Sequence, residues 1–414
     1  MNRLSTILAT SLLLVSSSSC GKTNYSKIDL YSKPTENVPI INIQGCDFDP
    51  TSKEFPKSLN FRFSELYSDV KYIKLEDTEG SALGNIDEIS RTKNGDYIVF
   101  DLANGKIVRF DASGKFLNTI GNVGNAKNEF VRPIAVKYDP YNNQIAVYDN
   151  PKLRIMFFDL EGKFIDQIKF ETAFSSFGII DKDLIVIYLR EVGNCADPDQ
   201  ALDFQIFNRQ GERVKAYQPF EKIHNVRTAA NTFSTQNDRI ICNEQYSPLI
   251  FTFKGTELVP LYFMNFGEQQ IPKSVVDEAK DFMELRRGWL KENKNWNFCM
   301  AFYENQDKYI LRLSKKNRPL HYIADKKNPD NYIVKAFAFN DLYGKVDINY
   351  FDFSYDDKIV YFLDSEKVKK ALDAIEKDRA QYEQDRAPIS DEDMALLKDL
   401  SQHTNPILQI CTLK

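Results

Sequence analysis

The sequence predicts an all-β fold: a six-bladed β-propeller of four-stranded antiparallel blades, closed by an N-terminal strand, with helical insertions on one face. Three observations predict it. Two segments align without gaps at an offset of 48 residues, and weaker copies follow after 49 and then 44 more. Each unit divides into short β-rich runs separated by turns. The runs make six sets of four only if a strand ahead of the first unit joins the last one. A period of 44–49 residues suits propeller blades. A β-helix repeats faster, and a βαβ fold would need helices inside the first two units.

Composition agrees. With 43% hydrophobic residues, 30 Phe and 21 Tyr, the chain has ample material for a core and is not disordered. Six Cys in 414 residues are too few for a disulfide scaffold. The length alone suggests two or three domains, but that prior is soft for all-β chains. The net charge of −5 lacks the basic excess of a nucleic-acid binder, so no nucleic-acid partner is expected.

The N-terminus reads as an export signal. Arg3 precedes a weakly apolar stretch, Leu4 to Val15, then four serines, Cys20 and Gly21. The stretch is shorter than the ~20 apolar residues that cross a bilayer. A Cys directly after small residues resembles a bacterial lipobox, although Ser17 stands where Leu is commonest. Cys20 would then be acylated and become the first mature residue. The alternative is an ordinary secretory signal with an incidental Cys. The expected organisation is a signal peptide over 1–19, a tether and N-terminal extension over 20–64, and the propeller over 65–414. Nothing later is long and apolar enough to span, so the lipid would be the only membrane contact. The later cysteines, Cys46, Cys195, Cys242, Cys299 and Cys411, form no CxxC pair and are expected to be structural.

The elements follow in order. Val70–Leu75 is the strand with no unit of its own. Blade one takes Asn85–Thr92, Tyr97–Asp101, Lys106–Asp111 and Phe116–Ile120. Blade two takes Ile134–Tyr138, Gln144–Asp149, Arg154–Asp159 and Phe164–Phe170. Asp101 maps to Asp149, Asp111 to Asp159 and Gly114 to Gly162. Blades three and four run from about Ser176 to Gln218 and from about Thr232 to Phe266. Blade five has Cys299–Glu304, Tyr309–Leu313, Leu320–Ala324 and Tyr332–Phe339. The last unit has Val346–Phe353, Ile359–Asp364 and Ile407–Leu413, and lacks one strand. Closing it with Val70–Leu75 removes an open edge.

Several of these runs carry a family likeness. Leu66 with Val70-Lys-Tyr-Ile-Lys-Leu-Glu76, the Gly-Asp-Tyr-Ile-Val-Phe-Asp run and the Phe-Asp-Ala-Ser-Gly-Lys-Phe-Leu run resemble the six-bladed, NHL-like β-propeller lipoproteins of Bacteroidetes. So do Gly121-Asn-Val-Gly124 through Glu129-Phe130 and the terminal Asn405-Pro-Ile-Leu-Gln-Ile. The resemblance covers roughly residues 60 to 414 and is specific in blades one and two. Asn125-Ala-Lys-Asn128 replaces the family's usual Gly-Pro-Gly, so that loop is expected to turn less tightly. The resemblance implies fold and compartment, and no settled activity.

With the four strands of a blade lettered a to d, loops a–b and c–d share one face of the disc, and b–c and d–a share the other. The tight turns Ala112–Lys115, Leu160–Lys163 and Arg209–Glu212 are all c–d, with Gly supplying the unusual dihedrals. Every elaboration falls on the opposite face: the Gly121–Phe130 loop, the Leu189–Leu202 loop, a helix at about 272–293 and a helical pair at about 365–402. Pro272 suits the first turn of its helix. Ser390 with Asp393 reads as a capping box. Long loops on a rigid scaffold are where binding surfaces arise, so this face is the expected ligand surface.

Its candidate residues are Glu129, the acidic loop with Arg190, Glu191, Asp197 and Asp199, and a cationic, aromatic lip of Arg286, Arg287, Trp289 and Trp296. The lip could meet a sugar or a carboxylate, although helix-to-blade packing explains the same residues. Asp101 with Lys106 and Asp149 with Arg154 are expected as structural ion pairs across b–c turns. No cofactor is expected. Ca²⁺ is the one ion the acidic loop suggests, yet the loop lacks the Gly and closing Glu of a calcium site and reads better as solvated. His224, His321 and His403 have no zinc-binding spacing, so no metal site is expected. GxSxG, phosphate-loop and dinucleotide motifs are absent.

Two readings of function follow. The first is a non-enzymatic, lipid-anchored module at the outer membrane, on its periplasmic side because Gly21-Lys-Thr-Asn-Tyr is not acidic, binding a glycan, peptide or protein. The second is a hydrolase or lyase acting on a polysaccharide or cell-wall fragment through carboxylates at the channel mouth.

Overall fold

The computed structural model describes residues 25–35, 37–44, 46, 60–189, 202–218, 232–236, 239–244, 246–279, 282–293, 297–315, 318–328, 330–335, 337–347, 353–384 and 386–414. The chain opens with three short strands, β1 (Tyr25–Lys27), β2 (Ile40–Asn42) and β3 (Asn60–Arg62). A helical turn α1 (Phe63–Leu66) leads into β4 (Tyr67–Lys74). Blade one is β5 (Glu88–Arg91), β6 (Tyr97–Asp101), β7 (Lys106–Phe110) and β8 (Phe116–Thr119). Blade two is β9 (Pro133–Asp139), β10 (Gln144–Asp149), β11 (Arg154–Phe158) and β12 (Phe164–Lys169).

Blade three is β13 (Ser176–Ile179), β14 (Leu184–Tyr188), β15 (Phe204–Asn208) and β16 (Arg213–Gln218). Blade four is β17 (Phe233–Gln236), β18 (Arg239–Asn243), β19 (Leu249–Lys254) and β20 (Glu257–Asn265). Helices α2 (Lys273–Glu278), α3 (Phe282–Arg287) and α4 (Trp289–Glu292) precede blade five. That blade is β21 (Asn297–Glu304), β22 (Lys308–Lys315), β23 (Arg318–Asp325) and β24 (Tyr332–Lys335), extended by β25 (Phe337–Phe339). Blade six has β26 (Phe353–Tyr355) and β27 (Lys358–Leu363), then α5 (Ser365–Lys377), α6 (Arg379–Glu383) and α7 (Asp391–Ser401), and finally β28 (Ile407–Leu413).

Each blade is an antiparallel meander, and the sixth has the order β26-β27-β28-β4. The N-terminal β4 therefore closes the ring, pairing from Ile407↔Lys74 to Leu413↔Tyr67. Two expected boundaries need correction. The inner strand of blade six is Phe353–Tyr355, and Val346 lies instead in the connection before it, buried among the residues of the blade-five and blade-six seam. The insertion at 272–293 is three short helices with Gly288 between the last two.

Burial explains why the ring must close. A strand places alternate residues on opposite faces. In β6, Ile98 and Phe100 pack against blade two, while Tyr97 and Val99 pack against blade six. In β10, Ile145 and Val147 face blade one, and Ala146 and Tyr148 face blade three. The same division holds for Ile185 and Ile187 against Val186 and Tyr188 in β14. Both faces of each blade are apolar, so the second strands read as unbroken hydrophobic runs. Six clusters of buried side chains fill the six seams.

The stretch expected as a tether contributes strands. β1 pairs in parallel with β16, β2 with β20 and β3 with β25, so it edges blades three, four and five in turn. Leu30, Ile41 and Phe61 each plug a seam, at 0%, 1% and 2% exposure. Side chains of the ring hold its carbonyls: Ser247 Oγ donates to Leu30 O at 2.7 Å, Tyr322 OH to Asn42 O at 2.8 Å, and buried Lys315 to Cys46 O. Among the described residues the outer strands β8 and β12 carry no such fifth strand.

Cys46, Cys242, Cys299 and Cys411 are free and buried; Cys195 lies outside the described residues. Burial pushes the thiols of Cys46 and Cys299 up to about 12.

The c–d turns explain their glycines. Gly114, Gly162 and Gly211 have φ of +90°, +84° and +85°. A Cβ on Gly114 would lie 2.3 Å from Lys74 O, and one on Gly162 2.3 Å from Thr119 O; on Gly211 the nearest atom, Ile168 Cγ2, is 3.3 Å away. Each carbonyl belongs to the outer strand of the preceding blade. Gly211→Ala should cost only the left-handed backbone penalty, about 1–2 kcal/mol. Gly114→Ala and Gly162→Ala should cost clearly more, read as lower urea midpoints. Equal losses at all three sites would refute the seam-contact explanation.

Candidate functional site

Antiparallel connectivity places the b–c and d–a connections together at one end of the blades. That end carries both helical insertions. In the first, Ile271, Val276, Leu285 and Leu290 form a small core over Tyr246 and Phe298, with half-buried Trp289 packed against it. Tyr246 and Phe298 meet edge-on at 5.1 Å. Gln270 Nε2 ties this cap to the blade-four turn through Tyr246 O at 3.3 Å.

In the second insertion, Asp364 caps α5 by accepting from Lys367 N at 2.7 Å. Val368, Ala371, Leu372 and Ile375 then recur at helical spacing and bury against Leu397 and Leu400 of α7 and the strands of blades five and six. Ser390 and Asp393 form the expected capping box. Asp393 Oδ1 also accepts from Gly344 N at 2.8 Å, and Tyr382 OH donates to Lys345 O at 2.7 Å. Arg386 pairs with Asp347 while its guanidinium lies over the rings of Tyr382 and Phe339, at 3.9 Å and 4.9 Å. The insertion, expected as a helical pair and found as three helices, is thus bolted to the connection between blades five and six. Burial alone would raise the Asp393 carboxyl. The amides of Ser390 and Gly344 and the Ser390 hydroxyl outweigh it, and the net shift is downward.

The repeated aspartates share one task. Asp149 Oδ1 accepts from Val131 N and Arg132 N, both at 3.0 Å, on the chain that enters blade two. Asp101 Oδ2 accepts from Gly84 N at 2.7 Å, on the chain that enters blade one, and from Asn104 Nδ2 at 2.7 Å. The cations differ. Arg154 Nε meets Asp149 Oδ2 at 3.0 Å, with the two side chains 4% and 0% exposed. Lys106 is a correction: it makes no ion pair with Asp101 and donates to Ala82 O at 2.9 Å. Asn104 and the Gly84 amide already occupy the carboxylate, which leaves it no need of a cation.

Arg154 also donates to Lys127 O at 3.2 Å and Glu129 O at 2.5 Å, so it pins the 121–130 loop. That loop, expected to be looser for want of Gly-Pro-Gly, is held from beneath. Glu129 turns inward to accept from Ala126 N at 2.9 Å and serves the loop's own closure. Arg287 is exposed on α3. Cys20, Arg190, Glu191, Asp197, Asp199 and Trp296 lie outside the described residues, as does the side chain of Arg286. Among the described residues no group of three or more His, Cys, Asp or Glu is placed to hold a metal.

Exposure is uneven around the ring. Among the described residues the exposed large apolar side chains are Leu102, Val123, Met283, Tyr343, Leu117 and Ile165. The first four sit on b–c or d–a connections of the elaborated end. Leu117 and Ile165 occupy equivalent positions on the outer strands β8 and β12. None lies on an a–b or c–d turn. Among the missed features are two buried carboxylates, neither part of the repeat pattern. Glu304 binds Tyr262 OH and Lys326 Nζ, both at 2.6 Å, and Arg239, across blades four and five on the tight-turn side. Glu244 meets Tyr188 OH at 3.3 Å across blades three and four.

A family model described as a domain of unknown function, DUF4934, matches residues 45–412. No curated protein matches the chain. Among solved structures it is similar to a Bacteroides fragilis protein described as a "putative exported protein", at 16% identity and a TM-score of 0.66, over 86% of this chain and 99% of that one. That likeness shows the fold alone. It is also similar to a DUF4221 family member from Bacteroides vulgatus, at 12% identity and a TM-score of 0.49, over 84% of this chain and 97% of that one. Virginiamycin B lyase from Staphylococcus aureus matches at 8% identity and 0.37, over 64% and 73%. Neither of these last two carries an argument about this chain.

The repeat-equivalent cations should behave unequally. Arg154→Met strands a buried carboxylate and should cost roughly 3–5 kcal/mol. Lys106→Met should stay within about 0.5 kcal/mol, as surface changes do. Chemical denaturation of both variants checks this. For the second insertion, a carboxyl lowered on folding adds stability above its unfolded pKa, and that stability is lost as pH falls through the folded value. Hydrogen-exchange protection at the start of α7 should therefore fall in acid, and Asp393→Asn should lower it already at neutral pH.

Proposed function

This chain belongs to the DUF4934 family, whose description assigns no activity, and from that premise we propose a non-enzymatic, lipid-anchored extracytoplasmic module that binds a glycan, peptide or protein on its helix-bearing face. The observation that carries the reading is the division of exposed apolar side chains. Leu102, Val123, Met283 and Tyr343 stand on connections of the elaborated end, whereas among the described residues no exposed large apolar side chain lies on an a–b or c–d turn itself. Side chains of this kind on long connections of a rigid scaffold offer contact points to a ligand.

Five described carboxylates of the same end support binding over hydrolysis. Asp101, Asp149, Glu129, Asp364 and Asp393 each accept from backbone amides that fix a turn, a loop or a helix terminus. A general acid or base needs a carboxyl free to exchange a proton with substrate. The signal sequence with Cys20 supports export and acylation, and the Bacteroides fragilis neighbour carries a description of export. No helix among the described residues is long and apolar enough to cross a membrane. Acylated Cys20 is the proposed anchor, at the outer membrane with the periplasmic side preferred.

The test is a glycan and peptide array probed with residues 21–414, each hit then measured against Leu102→Lys, Val123→Lys and Met283→Lys. Hits should weaken about tenfold or more, some 1.4 kcal/mol each, with unchanged melting temperature. Hits indifferent to all three substitutions would remove this face from the reading. Shortened products from a hit polysaccharide would replace binding by hydrolase or lyase activity. Cys20→Ser should abolish incorporation of labelled palmitate.

A further inference from the structure

The strands laid down by residues 25–62 bear on how an anchored ring would sit. A free tether from residue 20 to residue 64 would span about 35–40 Å on average and could exceed 100 Å when stretched, leaving the disc free to tumble. Here the chain is captured at Tyr25. Only five residues separate it from Cys20, a reach of roughly 18 Å at full extension whatever path they take.

The direction of capture matters as much as the length. β1 runs parallel to β16, with Tyr25 opposite Ala216 and Lys27 opposite Gln218. β16 leaves the Asn208–Glu212 turn at Arg213, so the upstream end of β1 lies toward the tight-turn face. Five residues also separate Ala216 from Gly211 at that turn. The capture is firm. Ile28 N continues the ladder to Gln218 O at 3.1 Å, Leu30 is fully buried in the seam of blades three and four, and Ser247 holds its carbonyl.

We propose that the N-terminal strands orient the protein on its membrane: the tight-turn side of blade three faces the lipid surface, and the helix-bearing face looks away from it. The inference rests on acylation at Cys20, as read above. It assigns the two ends of the ring separate partners, a bilayer at one and the soluble ligand at the other. Three further joins, β2 to β20, β3 to β25 and β4 to β28, keep the anchor segment from peeling off under load.

The test uses the full acylated chain on phosphatidylcholine and phosphatidylglycerol vesicles that carry an acceptor dye in their headgroups. A donor fluorophore is placed through a non-natural amino acid at Gln210, on the blade-three tight turn, or at Lys127, on the opposite face; both side chains are exposed. Energy transfer should be several-fold stronger from Gln210. Inserting about thirty Gly/Ser residues between Gly21 and Lys22 should make the two sites equal, because the linker restores free tumbling. Equal transfer from both sites in the acylated native chain, or stronger transfer from Lys127, would overturn the orientation while leaving the anchor intact. Absence of palmitate label at Cys20 would overturn the anchor and the orientation with it.

Discussion

Every blade of this ring has two apolar faces, and a structure made of such blades has no permissible end. The seam between blades six and one buries Val360, Leu408 and Ile410 against Tyr97, Val99, Val108 and Phe110. At about 1.5–3 kcal/mol for each large buried side chain, that single seam is worth on the order of 10 kcal/mol. Such a sum matches the whole net stability of a typical domain. The closing strand β4 is therefore not a trim. It pairs with β28, and its Tyr67 hydroxyl meets that of Tyr361 at 2.6 Å in the adjoining seam. The backbone of Lys414 reaches back to Leu66 O at 3.0 Å, so the two termini of the ring hold each other.

The same demand acts on the outer edges, where an unpaired strand invites pairing with another chain. Residues 25–62 answer it for three blades with three-residue strands that would have little stability alone. Their hold comes from side chains dropped into seams the ring has already made. Ile41 enters the blade-four and blade-five seam, and Phe61, Phe63 and Leu66 enter the next. Among the described residues no strand covers the outer edges of blades one and two, and those edges carry Leu117 and Ile165.

The parts legible in the sequence were those that repeat. Strand alternation, the glycines of the c–d turns and the borrowed closing strand all leave a periodic mark, because each blade solves the same packing problem. The Ser390 capping box was legible because its partners lie three residues apart. The edge strands were not legible: they are three residues long, and their partners in β16, β20 and β25 lie nearly two hundred residues or more away. Pairing Lys106 with Asp101 by analogy to Arg154 and Asp149 failed for a similar reason. Equivalent backbone positions do not ensure equivalent competition, and Asn104 together with the Gly84 amide had already filled the carboxylate. Glu304 went unseen because Arg239, Tyr262 and Lys326 converge on it from other turns and strands.

The two ends of the ring differ for a reason that precedes any function. At the c–d turns, Gly114 and Gly162 sit so close to the carbonyls of the preceding blade that even a methyl group would collide with them. A longer turn there would have to open a seam and expose side chains on both sides of it. On the b–c and d–a connections, glycines meet side chains instead, Gly105 at Val123, Gly121 at Phe130 and Phe158, and Gly344 at Tyr72. Side chains can shift where a backbone carbonyl held in a ladder cannot, so lengthening these connections costs mainly the slow logarithmic growth of loop entropy. Insertions therefore accumulate at one end, where they can build small cores of their own, as Val276, Leu285 and Leu290 do over Tyr246 and Phe298. The packing that forbids elaboration on one face leaves the other as the place where a binding surface can be built without opening the ring.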